Sequence, residues 1–239
     1  MKIIIYATHD EGTFNELSKH KNVIVLGFGS KWDGFIGKAR EILKYLNSLP
    51  DDEIVISLDG FDSYIKKEDH DQLLYLFKNM NCKVLYSLDS KHGLYKYSPC
   101  DPEIITSYIQ NKIHGECKNG YVANAGMYMG YVKYLKIVLD SIINCNISDD
   151  DQRNLNQLCD SFPFLDIDYN GIIFENCSNI KEVKNSNAFF CSIPGTPSFN
   201  RIIRIIPEYS QFFILEIVFL FILIFTIITF ILLKNYIFS

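Results

Sequence analysis

Residues Phe212 to Leu233 form a run of 22 in which Glu216 is the only charged side chain. A helix rising about 1.5 Å per residue would carry that run across roughly 33 Å, close to the ~30 Å hydrocarbon thickness of a bilayer. Apolar core helices in globular domains are commonly shorter and keep a polar face. Glu216 lies in the first turn, within reach of the headgroup zone. A single membrane-spanning helix is therefore expected at 212–233, followed by a short tail at 234–239. With 239 residues in all, the remainder suffices for one α/β domain over 1–200 and a juxtamembrane linker at 201–211.

The apolar stretch Ile3 to Ala7 is too short for a signal-peptide core before Thr8, His9, Asp10 and Glu11. Together with Arg201 and Arg204 before the span, this points to a tail-anchored protein with its domain in the cytosol. The cysteines at 82, 100, 117, 145, 159, 177 and 191 are odd in number and contain no CxxC pair. They suggest neither a zinc motif nor a full disulfide framework, and reduced thiols are the expectation. A formal net charge of −5 leaves no basic stripe for phosphates, so no nucleic-acid partner is expected.

Within 1–200, strand and helix patterns alternate. Lys2 to Thr8, Asn22 to Leu26, Glu53 to Leu58 and Lys83 to Leu88 read as buried strands, and Phe35 to Leu49 and Lys67 to Met80 as helices. Ala123 to Tyr131 reads as a strand, and Val132 to Ile143 and Asp150 to Cys159 as helices. Phe164 to Asp168, Ile172 to Glu175 and Ala188 to Cys191 read as closing strands. Between Ser90 and Tyr121, Gly93, Pro99, Pro102 and Gly115 break the pattern around one short helix near Glu103 to Gln110. Such alternation predicts a mostly parallel sheet with helices on both faces.

Ile54 to Leu58 runs directly into Asp59-Gly60-Phe61-Asp62. Ligands of open α/β sheets gather at the carboxyl ends of strands. Two hard oxygen ligands there suit Mn²⁺ or Mg²⁺ shared with substrate phosphates. An ordinary Asx turn after the strand is the bland reading of the same residues. Ser148 is followed by Asp149, Asp150, Asp151 and Gln152. Acids at a helix start are common capping chemistry, yet three in succession exceed what a cap needs. Asn124-Ala125-Gly126 opens an apolar strand, where a glycine admits a ligand close to the backbone or marks a bulge. Trp32 and Lys38 lie near the same edge, with a solvated surface as the commoner fate of such a lysine.

In order, these segments resemble the glycosyltransferase domain of the procollagen lysyl hydroxylases and the related collagen glucosyl- and galactosyltransferases. The resemblance rests on Ala7-Thr8 with Asp10-Glu11-Gly12, Val25-Leu26-Gly27 with Trp32-Asp33-Gly34, and Lys38-Ala39-Arg40. It continues through Asp59 with Asp62, Asn124-Ala125-Gly126, Asp149 to Gln152, and Asp168 with Ile173-Phe174. It spans roughly residues 3–200 and implies a GT-A-like fold, a UDP-sugar donor, and Mn²⁺ (or Mg²⁺) at Asp59 and Asp62. It also implies that Trp32, Lys38, Asn124 and Gly126 seat the donor and that Asp149, Asp150 and Asp151 act on sugar or acceptor. The acceptor would be a protein or glycan hydroxyl such as hydroxylysine or galactosyl-hydroxylysine, and the family's usual location is the lumen of the endoplasmic reticulum or Golgi. The family's late His-Gly-x-Gly-Pro segment is Ser192-Ile193-Pro194-Gly195-Thr196-Pro197 here, so a third metal ligand is missing or comes from elsewhere. Two rival classes remain at this point: an inactive membrane-anchored nucleotide-sugar or glycan binding module, and a purely structural membrane protein.

Overall fold

A computed structural model describes residues 1–89, 112–194 and 214–237. The chain divides into two compact units, Met1–Thr196 and Pro197–Ser239. The first unit is built on a six-stranded sheet. Its strands are β1 (Lys2–Tyr6), β2 (Val23–Leu26), β3 (Ile54–Asp59), β5 (Val84–Leu88), β6 (Ala123–Tyr131) and β7 (Leu165–Asp168), in the order β2-β1-β3-β6-β5-β7. Five run parallel; β6 alone is antiparallel to both its neighbours. The sheet is thus mixed and mostly parallel.

Alternate side chains of each strand serve opposite faces. Ile4, Val55 and Tyr128 pack on one side with α2 (Gly34–Leu46), α4 (Val132–Asn144) and α5 (Asp151–Leu158) through Ala39, Ile42, Leu135, Val138 and Leu155. Ile3, Ile5, Ile56, Leu58 and Met129 pack on the other with α1 (Phe14–Leu17) and α3 (His70–Asn79) through Phe14, Leu17, Leu73 and Phe77. That second face also receives Phe174 and Phe190 from a three-stranded sheet. It is formed by β4 (Ser63–Ile65), β9 (Phe190–Ser192) and β8 (Phe174–Asn176), in the order β4-β9-β8. The short helix α6 (Ile180–Asn185) lies between β8 and β9 in the chain.

Element ends follow local chemistry. Helix α3 starts at His70, three residues after the sequence expectation, because the Asp69 carboxylate accepts from Gln72 N at 2.9 Å and caps it there. Asp168 accepts from the backbone N–H groups of Ile172, Ile173 and Phe174 at 3.0, 2.6 and 2.8 Å, so the turn after β7 is folded around one buried carboxylate. The expected strands at 172–175 and 188–191 are correspondingly shortened and shifted, to Phe174–Asn176 and Phe190–Ser192.

Cys117 and Cys159 are disulfide-bonded across a separation of 42 residues, with Cα atoms 5.6 Å apart. This corrects the expectation of reduced thiols for these two. Their spacing follows no motif, and they meet only because Cys159, just past α5, packs beneath the segment that precedes β6. Cys82, Cys145, Cys177 and Cys191 are free.

In the second unit, Ile214–Ile237 forms helix α7, 24 residues long. Leu215, Phe219, Phe221 and Phe225 are well exposed along it. Among the described residues, no helix is long and apolar enough to cross a membrane. A helix stands where a span is expected, and it continues into the expected tail. The short helix near 103–110, the linker at 201–211 and the first residues of the expected span lie outside the described residues.

Candidate functional site

The carboxyl ends of β1, β3 and β5 lie along one edge of the large sheet, and the reversed β6 begins there, with Leu88 opposite Ala123 and Leu58 opposite Met127. The pairing of β5 with β6 slips at this edge: Tyr86 faces Tyr128, but Ser87 faces Asn124. Ala125 to Met127 consequently lose the β5 ladder. Side chains complete the hydrogen bonds instead, with Ala125 N donating to Gln152 Oε1 at 3.3 Å and Gly126 N to Asn124 Oδ1 at 2.7 Å. Gly126 is required by what faces it. A Cβ there would stand 2.6 Å from Asp59 Oδ2 and 2.8 Å from Asn124 Oδ1, so the glycine keeps Asp59 Oδ2 unobstructed.

The other oxygen of Asp59 is 3.3 Å from Lys38 Nζ, and the same ammonium lies 3.0 Å from Asp151 Oδ2. Lys38 is buried at 7% exposure, the opposite of the solvated fate usual for lysine. Burial alone would lower its pKa, but Asp151 and Asp59 more than offset that and hold it well above the ordinary range, so it stays charged. Asp151 is pushed up to about 6: burial dominates, and Asp150 and Asp59 add to it, against the pull of Lys38. The shared ammonium is fully ionised, while the more deeply buried of its two carboxylates takes up a proton just below neutrality.

The acidic run separates into three roles. Asp149 is exposed. Asp150 caps α5, accepting from Gln152 N at 2.9 Å and Arg153 N at 3.4 Å, and sits 3.7 Å from His114 Nδ1. Burial would raise its pKa, but His114 and these backbone N–H groups lower it overall; burial would depress His114, yet Asp150 holds it above its usual value. Asp151 points inward to Lys38. Asn124 and Gln152 also converge on Asp89 at the end of β5, with contacts of 3.3 and 3.4 Å. Asp89 escaped notice in the sequence, although an acid directly after a buried strand is the same signal that marks Asp59.

Asp62 precedes β4 and belongs to the small sheet. Its carboxylate accepts from Ser192 Oγ at 3.0 Å, and its carbonyl from Ile193 N at 3.0 Å. Trp32 packs on Tyr6, ring centroids 5.8 Å apart, and Tyr6 is the register partner of Asp59. The structure thus brings Asp59, Lys38, Asn124, Gly126 and Asp151 together at one edge, with Trp32 one ring away. Among the described residues, Asp59 and Asp62 do not belong to a group of three His, Cys, Asp or Glu donors within 4.8 Å. Their chemistry suits a hard divalent cation completed by phosphate oxygens and water, as Mg²⁺ and Mn²⁺ prefer.

No protein-family model matches the chain, and no curated protein sequence matches it. Among solved structures, it is similar to a glycosyltransferase involved in the glycosylation of the major capsid of PBCV-1. That similarity has a TM-score of 0.51 at 13% identity and covers 82% of this chain and 93% of the other. The bifunctional glycosyltransferase WbbM aligns with a TM-score of 0.46 at 14% identity, over 83% of this chain and 46% of its own length. The first of these likenesses is one of fold: the chain shares the fold of that glycosyltransferase over 82% of its length.

Proposed function

We propose that this chain is a metal-dependent glycosyltransferase that moves a hexose from a UDP-sugar to a hydroxyl acceptor, with hydroxylysine or galactosyl-hydroxylysine of a collagen-like protein as the acceptor class. The observation that carries the reading is the Asp59–Lys38–Asp151 bridge beside the gap kept open by Gly126. Asp59 and Asp62 would hold Mn²⁺ or Mg²⁺. Such an ion, when bound, supplies positive charge to the departing diphosphate. Lys38 fixes the carboxylate of Asp59 through Oδ1, which leaves Oδ2 turned toward Gly126. Asp151 holds Lys38 from the other side, and Asp150 secures the start of α5. Asp149, exposed at that start, would take sugar or acceptor hydroxyls, and Trp32, 39% exposed, would offer its face to the donor.

The same proposal anchors the protein to a lipid bilayer through 212–233. The Cys117–Cys159 bond favours an oxidising compartment, so we place the domain on the lumenal side and not in the cytosol. A binding module without turnover is the second reading. It is favoured by Ser192, whose hydroxyl already occupies an oxygen of Asp62.

Incubating the protein with a panel of UDP-sugars, Mn²⁺ and a hydroxylysine peptide should release UDP. Replacing both Asp59 and Asp62 with Asn should lower Mn²⁺-dependent UDP affinity at least tenfold, about 1.4 kcal/mol. Unchanged calorimetric affinity in that variant refutes the metal assignment, and tight UDP-sugar binding without UDP release decides for the binding module.

A further inference from the structure

The small sheet carries a second set of donors that the proposed reaction does not use. In the parallel pairing of β8 with β9, Glu175 stands opposite Cys191. Cys177 lies two residues beyond Glu175 and therefore on the same face. Its backbone N–H is tied to Ser192 O at 2.7 Å. One carboxylate oxygen of Glu175 and the two sulfurs all lie within 4.8 Å of one another. Among the described residues this is the only such group of three. Side chains alternate along β9, so Cys191 faces away from Ser192 and its bond to Asp62, and the two clusters occupy opposite faces of that strand.

We propose that Cys177, Cys191 and Glu175 form a binding site for a thiophilic divalent cation of the zinc type. Zn–S bonds of about 2.3 Å and Zn–O bonds of about 2.0–2.2 Å put tetrahedral ligand atoms roughly 3.5–3.8 Å apart. The observed donor atoms already lie within 4.8 Å of one another. Two sulfurs select zinc over the hard ions suited to Asp59 and Asp62. The nest around the thiols is apolar, made by Val183 and Ala188 with Tyr64 and Ile193 at its border. Apolar packing of two thiols needs no carboxylate, yet Glu175 is held in place: Ser186 Oγ donates to its Oε2 at 2.5 Å and itself accepts from Ala188 N at 3.0 Å. Such a second ring of hydrogen bonds orients metal ligands. Binding replaces the two thiol protons, so each ion releases two protons to solvent and leaves Cys177 and Cys191 as thiolates. The positive charge of Lys66 acts on Cys191 and offsets part of the resulting negative charge. Three protein ligands leave the fourth position to water, reached past the half-buried Glu175.

The test uses the full chain, reduced and stripped of metal, titrated with Co²⁺ as a spectroscopic probe. A thiolate-to-cobalt charge-transfer band should saturate at one ion per chain and disappear when Zn²⁺ is added. Cys177→Ser and Cys191→Ser should each abolish it. Glu175→Gln should weaken binding at least tenfold, and the Cys82→Ser/Cys145→Ser variant should behave as the parent. No band, or a band that survives Cys177→Ser, overturns the proposal. So does recovery of Cys177 and Cys191 as a disulfide, two mass units lighter, that forms in the presence of stoichiometric Zn²⁺. If the variants fail to fold, alkylation of the unmutated protein decides: Zn²⁺ should slow modification of Cys177 and Cys191 at least tenfold and leave Cys145 unchanged, and equal rates overturn the site.

Discussion

Replacing Lys38 with Met keeps the length of the side chain and removes the one ammonium that Asp59 and Asp151 share. Both Lys38 and Asp151 are under 10% exposed, so solvent screens little of the loss. Removing one partner of a buried pair typically costs about 3–5 kcal/mol. The pH dependence identifies the cause. Folding raises Asp151 from 3.8 to about 6, so the folded protein holds that proton more tightly than the unfolded chain does. The associated stabilisation is fully present below about pH 4 and fades as the pH rises through 6; about two pKa units correspond to roughly 3 kcal/mol. Without Lys38 the folded value climbs further, and the loss at pH 7.5 grows until that value passes the pH and Asp151 takes up the proton, which caps the pH-dependent part at roughly 2 kcal/mol. The variant should therefore be about 3 kcal/mol less stable than the parent at pH 7.5 and about 1 kcal/mol at pH 5, where Asp151 is largely protonated in both. Guanidinium unfolding followed through Trp32, the sole tryptophan and a neighbour of Tyr6, measures both. An equal loss at the two pH values, or under 1 kcal/mol at pH 7.5, would show that Lys38 contributes only its hydrocarbon stem.

Gly126→Ala should push the new methyl group into Asp59 Oδ2 and Asn124 Oδ1. It should lower Mn²⁺-dependent UDP affinity at least tenfold while costing about 1–3 kcal/mol of stability; parental calorimetric affinity would show that the gap serves no ligand. Breaking the 42-residue loop with Cys117→Ser and Cys159→Ser should cost about 4 kcal/mol by loop entropy, measured as a drop in unfolding midpoint. The lumenal reading attached to that bond expects an N-glycan on exposed Asn146, in Asn146-Ile147-Ser148. A reductant-insensitive parent and an unmodified Asn146 would return the domain to the cytosol.

What the sequence disclosed was local. Ala123 to Tyr131 reads as a strand and is one, and the acids after Ile54 to Leu58 fall at the strand end that the apolar run marks. The mixed, mostly parallel sheet was also within reach, because strand and helix patterns alternate along the chain. The direction of β6 was hidden, since alternation of apolar residues is the same in either direction. From the residues alone a solvated surface was the commoner fate for Lys38, because its burial depends on Asp151, 113 positions along the chain. Cys117 and Cys159, and the convergence of Asp89 with Asn124 and Gln152, are likewise products of pairings between distant segments. Asp150 and Asp151 differ for a local reason that only the helix start reveals: one accepts from the first turn of α5, and its neighbour points inward.

The position of β6 also orders the assembly of the molecule in time. β3 ends at Asp59 and β5 at Leu88, yet the strand that joins them runs from Ala123 to Tyr131 and enters between them. A ribosome must deliver about forty residues beyond β5 before either strand gains that partner. Until then two apolar strands carry open edges, the condition that favours pairing with foreign chains. Such non-local closure slows folding in general. The facing edges of β3 and β5 therefore close with the arrival of the same segment that brings Asn124 and Gly126 to Asp59, while the far edge of β5 waits for β7.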